Sequence, residues 1–147
     1  GCGGFIDITQ FARRVIFCST FTAAGLEIDY KDGRLQIVRE GKIKKLVNRV
    51  QQISYNGKLG IQGGQQVHFV TERAVFKLDS EGPVLVEIAP GIDLCTDILD
   101  QMEFEPRIAP DLRRMNPRIF QEGVFGLRSR FEQAKEQTGG ELDATVR

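Results

Sequence analysis

The sequence predicts an α/β protein: a mixed open sheet with a β-hairpin or meander and covering helices. Two apolar runs rich in β-branched and aromatic residues, Val15–Phe21 and Val67–Thr71, are typical of strands buried on both faces of a parallel or mixed sheet. Alternating apolar and polar residues recur between them and up to Ile88, whereas helical patterns appear only after Pro90. Strands that precede helices in this way also allow an α+β arrangement. The length of 147 residues fits one domain.

A glycine-rich segment, Gly1–Gly4, opens the sequence. Glycine adopts positive φ readily, so a turn here can present successive backbone N–H groups to an anion or a developing oxyanion. A tight turn with a close backbone crossing is the alternative, and the spacing alone favours it. A dinucleotide-binding motif would need glycine at position 6, where the sequence has Ile6. Because the motif stands at the start, without a preceding strand or methionine, we expect a fragment of a longer protein.

Small residues and turn residues follow the first apolar run. Thr22–Gly25 is a second place where a ligand can approach the backbone. Leu26–Arg39 alternates in polarity around Asp32-Gly33, a pair that favours a type I′ turn, and therefore predicts a half-exposed hairpin. Glu40–Lys42 predicts another turn leading to Ile43, which would extend the hairpin into a small meander.

Two further segments are open to a phosphate-binding interpretation. The cluster Lys42, Lys44 and Lys45 has no interleaved aromatic residues, so a solvated strand face is favoured. Asn56–Gln65 contains four glycines but matches neither a Walker loop nor a dinucleotide motif, so a flexible surface connection is favoured. A short strand over Val50–Tyr55 is expected before it.

The later strands and helices are predicted from pattern and capping residues. Ala74–Leu78 and Val84–Ile88 flank Asp79–Pro83 and predict a second hairpin. Asp93 is expected to cap a helix whose apolar face includes Ile98 and Met102. Three prolines after residue 105 divide the next part of the chain into short pieces. A final helix runs from about residue 125 to residue 137, with Leu127 and Phe131 on one side.

Composition excludes several functional classes. Twenty basic residues balance twenty acidic ones, so no global charge favours a nucleic acid or a membrane as partner. The longest apolar runs are too short to span a bilayer. Three widely spaced cysteines, Cys2, Cys18 and Cys95, argue against a disulfide framework or structural zinc and fit a reducing, cytoplasmic compartment. His68 is the only histidine, and a packed strand residue is favoured over a catalytic base.

Several blocks in order resemble the closing part of family I coenzyme A transferases, above all the single-chain acyl-CoA:acetate/acetoacetate and propionate enzymes. The resemblance covers about residues 1–127. Its blocks are Gly1–Gln10, Val15–Gly25, Val70–Phe76, Ile88–Asp93, Asp97–Met102 and Pro110–Leu112. The CoA-transferase portion is accordingly expected to span residues 1–137, followed by a disordered tail over 138–147.

This resemblance implies an activity. Enzymes of the family transfer coenzyme A from an acyl-CoA to a short-chain carboxylate through a glutamyl-CoA thioester, a form of covalent catalysis. The resemblance puts the nucleophilic glutamate upstream of Gly1, so no residue of this chain is assigned that role and the chain alone is expected to be inactive. The coenzyme A thioester is a substrate, and no permanent cofactor or metal is implied. The expected partners are the rest of the parent chain and further copies of the enzyme.

The resemblance also assigns candidate site residues. Gly3 and Gly4 match a glycine turn that offers a backbone N–H to the nucleophilic carboxylate or to an oxyanion. A CoA-contacting loop is matched by Thr22, Ala23, Ala24 and Gly25, although related enzymes place a lysine where this chain has alanine at position 24. For Glu72, at the end of a buried strand, a structural ion pair with Arg73 or another arginine is favoured over a catalytic role.

Two alternatives to a CoA-transferase stay open on the sequence. One is a non-catalytic binding or assembly module that kept the CoA-transferase fold, and the other is an acyl-CoA hydrolase on the same fold.

Overall fold

The computed structural model describes residues 2–137, and the predicted tail over 138–147 lies outside the described residues. The strands are β1 (Arg14–Cys18), β2 (Thr22–Ala23), β3 (Glu27–Lys31), β4 (Arg34–Arg39), β5 (Ile43–Lys44), β6 (Gln66–Val70), β7 (Ala74–Asp79), β8 (Gly82–Ile88) and β9 (Arg107–Arg114). The α-helices are α1 (Cys2–Phe11), α2 (Gly57–Gln62) and α3 (Leu127–Gln137), and short 3-10 helices span Leu99–Gln101 and Pro117–Phe120. None of the described helices has the length and apolar character needed to cross a membrane.

A five-stranded sheet in the order β1-β6-β7-β8-β9 organises the fold. The outer pairs β1–β6 and β8–β9 are parallel, and the inner pairs β6–β7 and β7–β8 are antiparallel. The predicted mixed open sheet and the hairpin joining β7 to β8 are therefore confirmed. One face carries a continuous apolar row, since Phe17 pairs with Phe69 and Phe69 with Phe76 in register.

The core lies on that face of the sheet. Phe76 and Leu85 are fully buried there, and the segment after β8 covers them with Ile98 and Met102. Phe21 joins the cluster from the chain that leaves β1, with its ring centroid 6.3 Å from that of Phe76. Burial of these side chains is the main term that stabilises the fold.

The β3–β4 hairpin confirms the predicted Asp-Gly turn, because Asp32 and Gly33 have φ values of 53° and 75°. The predicted meander is wrong. β5 pairs with β2 instead of β4, with Thr22 opposite Lys44 and Ala23 opposite Ile43. The chain turns away from β4 at Glu40 because this side chain is hydrogen-bonded to the hydroxyl of Thr22.

The prediction that the first apolar run is buried on both faces is wrong for β1. Val15 is 8% exposed, whereas Ile16 on the opposite face of the strand is 61% exposed. The physical reason is that the face carrying Ile16 also carries the half-buried His68 and the exposed Lys77 in register, so within the described residues this face of the sheet is left largely open to solvent.

The segment before β6 also differs from the prediction. Residues 50–55 form no strand, and Val50 and Ile53 are exposed. The expected flexible loop contains α2, whose first turn is capped by the Asn56 side chain accepting from Leu59 N–H. A Cβ on Gly60 would lie 2.1 Å from the Tyr55 hydroxyl, so any larger residue there would have to displace the Tyr55 side chain. Tertiary contact thus overrides the weak helix propensity of glycine.

The predicted α-helix after Asp93 is wrong in type but correct in burial. The Asp93 carboxylate does accept from the N–H groups of Cys95 and Thr96, both at 2.9 Å. The chain then continues through turns, in which the Leu99 N–H donates to the carbonyl of Leu94, five residues back, and ends in a 3-10 turn. Ile98 is buried, as the apolar pattern predicted.

The C-terminal part retains a strand where short pieces were expected. β9 contains Pro110 but lies at the sheet edge, where a missing N–H is tolerated. The register with β8 shifts between Leu85 and Glu87, so four residues of β9, among them the proline, lie opposite the single residue Val86. The final helix is confirmed and begins at Leu127.

Candidate functional site

Arg73, in the turn between β6 and β7, is completely buried. The Thr71 side chain builds this turn: its hydroxyl accepts from Ala74 N–H at 2.9 Å and donates to the Ala74 carbonyl at 2.9 Å. The Arg73 carbonyl accepts from Ala89 N–H at 2.8 Å. These hydrogen bonds fix the backbone of the turn, and they thereby fix the position from which the Arg73 side chain extends.

Each nitrogen of the guanidinium donates to an acceptor. Its Nε donates to Glu72 at 2.6 Å, and its two Nη atoms donate to the two carboxylate oxygens of Glu40 at 2.6 and 3.1 Å. Nη1 also donates to the Asp97 carbonyl at 3.1 Å, and the guanidinium lies over the Phe21 ring, 5.0 Å from its centroid. Such bidentate pairing offsets the cost of burying the charge.

The same two carboxylates hold the loop after β1. Glu72 accepts from Phe21 N–H at 2.9 Å, and Glu40 accepts from the buried Thr22 hydroxyl. Gly41 N–H donates to Thr22 Oγ1 at 3.1 Å and to Glu40 at 3.0 Å. We call this set, Arg73 with Glu40, Glu72, Phe21 and Thr22, the Arg73 network.

The charges in the Arg73 network reinforce each other. Burial alone would raise the pKa of the Glu40 carboxyl, but hydrogen bonds from Arg73, Thr22 and Gly41 N–H outweigh burial and hold it below its ordinary value. Burial would lower the pKa of Arg73, but the hydrogen bonds to Glu40 and Glu72 raise it instead. Both partners are therefore charged across the physiological pH range.

The predicted CoA-contacting loop, Thr22–Gly25, extends from this anchor to the surface. Thr22 is buried, whereas Ala24 and Gly25 are exposed and have positive φ values of 62° and 95°. Two contacts hold the exposed end: Lys42 N–H donates to the Ala24 carbonyl at 3.2 Å, and Arg39 Nε donates to the Gly25 carbonyl at 3.0 Å. The structure thus brings the loop together with Glu72 and Arg73.

Gly3 and Gly4 do not form the expected turn. They lie in the first turn of α1, and within the described residues a Cβ at either position would have nothing within 4 Å, so this part of the structure supplies no close backbone crossing. The first N–H groups of a helix lack intrahelical acceptors. An exposed first helical turn therefore replaces the glycine turn as the source of N–H groups, and the role of Gly3 and Gly4 as donors stays a prediction.

A cavity of about 330 Å³ lies elsewhere, between the end of α1 and α2. Gln65 spans it: its amide nitrogen donates to the carbonyls of Thr9 and Ala12, both at 2.7 Å, and its oxygen accepts from the Tyr55 hydroxyl at 2.8 Å. These bonds satisfy carbonyls at the end of α1. The hydrogen bonds that Gln65 makes across this cavity therefore cap the end of α1.

Sequence reasoning missed Glu40 and Gly41. The sequence pattern predicts only a turn at both positions, but Glu40 pairs with Arg73, and a Cβ on Gly41 would lie 2.4 Å from the Ala23 carbonyl. The glycine signals a close approach, but no local pattern signals an ion pair between residues 33 positions apart.

The fold is similar to that of an acyl-CoA transferase of known structure. The crystal structure of the acyl-CoA transferase YdiF from Escherichia coli O157:H7, a thioester complex with CoA, superimposes with a TM-score of 0.83 at 46% identity, covering 86% of this chain and 25% of that one. The resemblance to family I coenzyme A transferases is thereby confirmed.

Two curated relatives make the similarity more specific. The chain is 46% identical over 126 residues to acetate CoA-transferase YdiF of Escherichia coli K12, and 47% identical over 127 residues to caffeate CoA-transferase of Acetobacterium woodii. Each match covers 86% of this chain and 24% of the relative, so the chain spans about a quarter of their length. No family model matches the sequence.

Glu40→Gln should lower the free energy of unfolding by about 1.5–3 kcal/mol at pH 7, because charge-assisted hydrogen bonds to a buried guanidinium are lost. The pKa of Glu40 is lower in the folded state than its ordinary value of 4.5. The contribution of the Glu40 carboxylate to stability is therefore fully present above pH 4.5 and is lost as the pH falls through the folded-state pKa. The difference between wild type and variant should therefore shrink in acid. Urea unfolding at several pH values measures it.

Glu27→Gln is the matched control, since Glu27 pairs with Arg39 at the surface and should contribute less than about 1 kcal/mol. Equal losses for the two variants, or a Glu40→Gln loss that does not change with pH, would contradict the importance of the Arg73 network.

Gly41→Ala should displace β2, because the new methyl group would meet the Ala23 carbonyl at 2.4 Å and the Thr22 hydroxyl at 2.6 Å. We expect a loss of about 1–3 kcal/mol and shifted amide resonances over Thr22–Gly25. Gly63→Ala is the control, since its φ is −76° and its nearest contacts are at 3.4 Å. Unchanged resonances in the Gly41 variant would disprove the close crossing.

Proposed function

We propose that this chain is part of an enzyme that transfers coenzyme A from an acyl-CoA to a short-chain carboxylate. The observation that carries the proposal is 46% identity over 86% of the chain to an acyl-CoA transferase whose fold it shares at a TM-score of 0.83. About three quarters of the length of that relative lies outside the match, so the proposal assigns the remaining active-site groups to sequence outside these 147 residues.

The proposed chemistry is covalent carboxylate catalysis. A glutamate outside this sequence attacks the acyl-CoA carbonyl and displaces the CoA thiolate, which gives a mixed anhydride. The thiolate then attacks the glutamyl carbonyl and releases the free acid as its carboxylate, leaving a glutamyl-CoA thioester. The acceptor carboxylate then attacks the glutamyl-CoA carbonyl and displaces the CoA thiolate, which gives a second mixed anhydride. The thiolate attacks the acyl carbonyl of this anhydride, which releases the new acyl-CoA and regenerates the glutamate. The relative crystallised as a thioester complex with CoA supports this route.

The proposed part of this chain is to contact CoA through Thr22–Gly25. The loop is anchored at its buried end by the Arg73 network and is exposed at Ala24 and Gly25, so a ligand can reach its backbone. Lys42, whose N–H donates to the Ala24 carbonyl, is a basic residue beside the loop, which suits the phosphates of CoA. Glu72 and Arg73 then act by positioning, since their charges are used within the network.

Gly3 and Gly4 are proposed to donate backbone N–H groups to the reacting carboxylate or oxyanion. They lie in the first turn of α1, where N–H groups have no intrahelical acceptor and the helix dipole favours negative charge. Fixed donors of this kind contribute about 2.7–4 kcal/mol to acyl transfer in other enzymes.

The mechanism predicts that the 147 residues alone have no acyl-CoA:carboxylate exchange activity, because the nucleophile is missing. A chimera in which this chain replaces the matching segment of acetate CoA-transferase YdiF should restore it. In the chimera, borohydride should inactivate the enzyme only when acyl-CoA is present, by reducing the glutamyl thioester. Exchange of labelled acetate into acetyl-CoA measures both.

Turnover by the isolated chain would refute the division of the site, and full activity after borohydride with acyl-CoA would refute the thioester. An active chimera that hydrolyses acetyl-CoA equally well without acceptor carboxylate would favour a hydrolase.

Ala24→Glu in the same chimera should raise KM for the CoA substrate at least tenfold, because a carboxylate beside the bound phosphates repels them. Ala24→Gln, of the same size without charge, should change KM much less. Equal effects of the two variants would mean that the loop does not face the CoA phosphates.

A further inference from the structure

The exposed end of the Thr22–Gly25 loop lies against the guanidinium of Arg39, the last residue of β4. Arg39 Nε donates to the Gly25 carbonyl at 3.0 Å, and Nη2 pairs with the carboxylate of Glu27. The side chains of that pair are 60% and 53% exposed, and such surface pairs contribute little to stability. Within the part of the chain that the structure describes, Nη1 donates no hydrogen bond. The guanidinium is therefore open to an anionic ligand.

A second cation, Lys42, lies next to the loop. The antiparallel pairing of β2 with β5 places Lys42 opposite Ala24, and Lys42 N–H donates to the Ala24 carbonyl at 3.2 Å. Lys42 is exposed. Lys44, two residues on, is used inside the fold instead, because its Nζ donates to the carbonyls of Asp100 at 2.6 Å and Met102 at 3.3 Å. Of these two lysines, Lys42 is the one available to a ligand at the loop.

The carboxylate between these two cations is directed away from them. Glu40 separates Arg39 from Lys42 in sequence, but its two oxygens accept from the buried guanidinium of Arg73. Glu27 is different, because it pairs with Arg39 at the surface. Carboxylate and phosphate are both anions that accept parallel hydrogen bonds from an arginine fork. The Glu27 carboxylate therefore marks where the oxygens of a phosphate can bind.

We propose that Arg39 and Lys42 form a phosphate-binding site for the CoA substrate, in which a phosphate displaces Glu27 and accepts from Nη1 and Nη2 of Arg39. The inference rests on the proposed function and deepens it, since the backbone of the loop offers a ligand only uncharged groups. Coenzyme A carries a diphosphate and a 3′-phosphate, and either supplies this chemistry. Arg39 then selects CoA thioesters over thioesters that lack phosphate.

The test compares ligands with and without phosphate in the full-length YdiF chimera. Pantetheine has the thiol arm of CoA but no phosphate, and dephospho-CoA lacks only the 3′-phosphate. Arg39→Gln should weaken CoA binding about tenfold in calorimetry, because charge-assisted hydrogen bonds are lost, and should leave pantetheine binding in ligand-observed NMR unchanged to within about twofold.

The same ligands decide which phosphate is bound. A loss that persists with dephospho-CoA assigns Arg39 to the diphosphate, and a loss confined to CoA assigns it to the 3′-phosphate. Equal losses for CoA and pantetheine, or no loss for CoA, would overturn the proposal.

Arg113→Gln is the matched control. Arg113 pairs with Glu87 at 3.0 Å, its side chain is 66% exposed, and β9 lies at the opposite end of the sheet from β1. The variant removes the same charge at a distant position, so CoA binding should stay within about twofold of the unmodified chimera. Weakening equal to that of Arg39→Gln would show an effect of overall charge and would also overturn the site.

Two more variants test the other residues around the phosphate. Glu27→Gln removes the carboxylate that competes for Arg39 and should strengthen CoA binding about threefold, whereas Lys42→Gln should weaken it about threefold. Neither variant should change pantetheine binding. Weaker or unchanged CoA binding after Glu27→Gln, or unchanged binding after Lys42→Gln, would contradict the site as proposed.

Binding and turnover separate this site from the proposed function. Phosphate-dependent binding that Arg39→Gln weakens, in a chimera without CoA transfer, would support the site while refuting the proposed function. A chimera that transfers CoA and binds it equally well with and without Arg39→Gln would do the reverse.

Discussion

The buried guanidinium of Arg73 is the constraint on which the surroundings of the Thr22–Gly25 loop depend. Removing such a charge from water costs several kcal/mol unless it is paired with opposite charge and hydrogen-bonded. Two carboxylates and the Asp97 carbonyl supply the pairing, and the Phe21 ring covers one face. Because Phe21, Glu40 and Asp97 come from segments far apart in sequence, pairing the charge fixes the relative positions of those segments.

The value of the Arg73 network is geometric more than energetic. Buried ion pairs are often replaceable by apolar side chains without loss of stability, so pairing alone does not explain their use. Here the network holds a loop whose Ala24 has a φ of 62°, a conformation that costs a non-glycine residue about 1–2 kcal/mol. A strained loop with an exposed tip needs a rigid base, and the paired carboxylates of Glu40 and Glu72 provide one.

Local patterns predicted the features that local physics decides. The Asp32-Gly33 turn follows from positive φ at adjacent residues, and burial of Ile98 follows from apolar spacing even though the helix expected there is a series of turns. The pairing of β5 with β2, and of Glu40 with Arg73, depends on which distant segments meet. Of the candidate site, the loop and its neighbour Arg73 could be predicted, but the carboxylate of Glu40 that joins them could not.

The prediction that β1 is buried on both faces is wrong for a physical reason. An apolar, β-branched run such as Val15–Phe21 is selected for burial on two faces and for pairing on two edges. In the structure, α1 packs against one face of β1 and β6 pairs with one of its edges. Ile16, on the other face, is exposed. The hydrophobic pattern of Val15–Phe21 therefore matches the buried Val15 side chain and the Phe21 side chain in the core, whereas Ile16 lies on a face of the sheet that is exposed within the described residues.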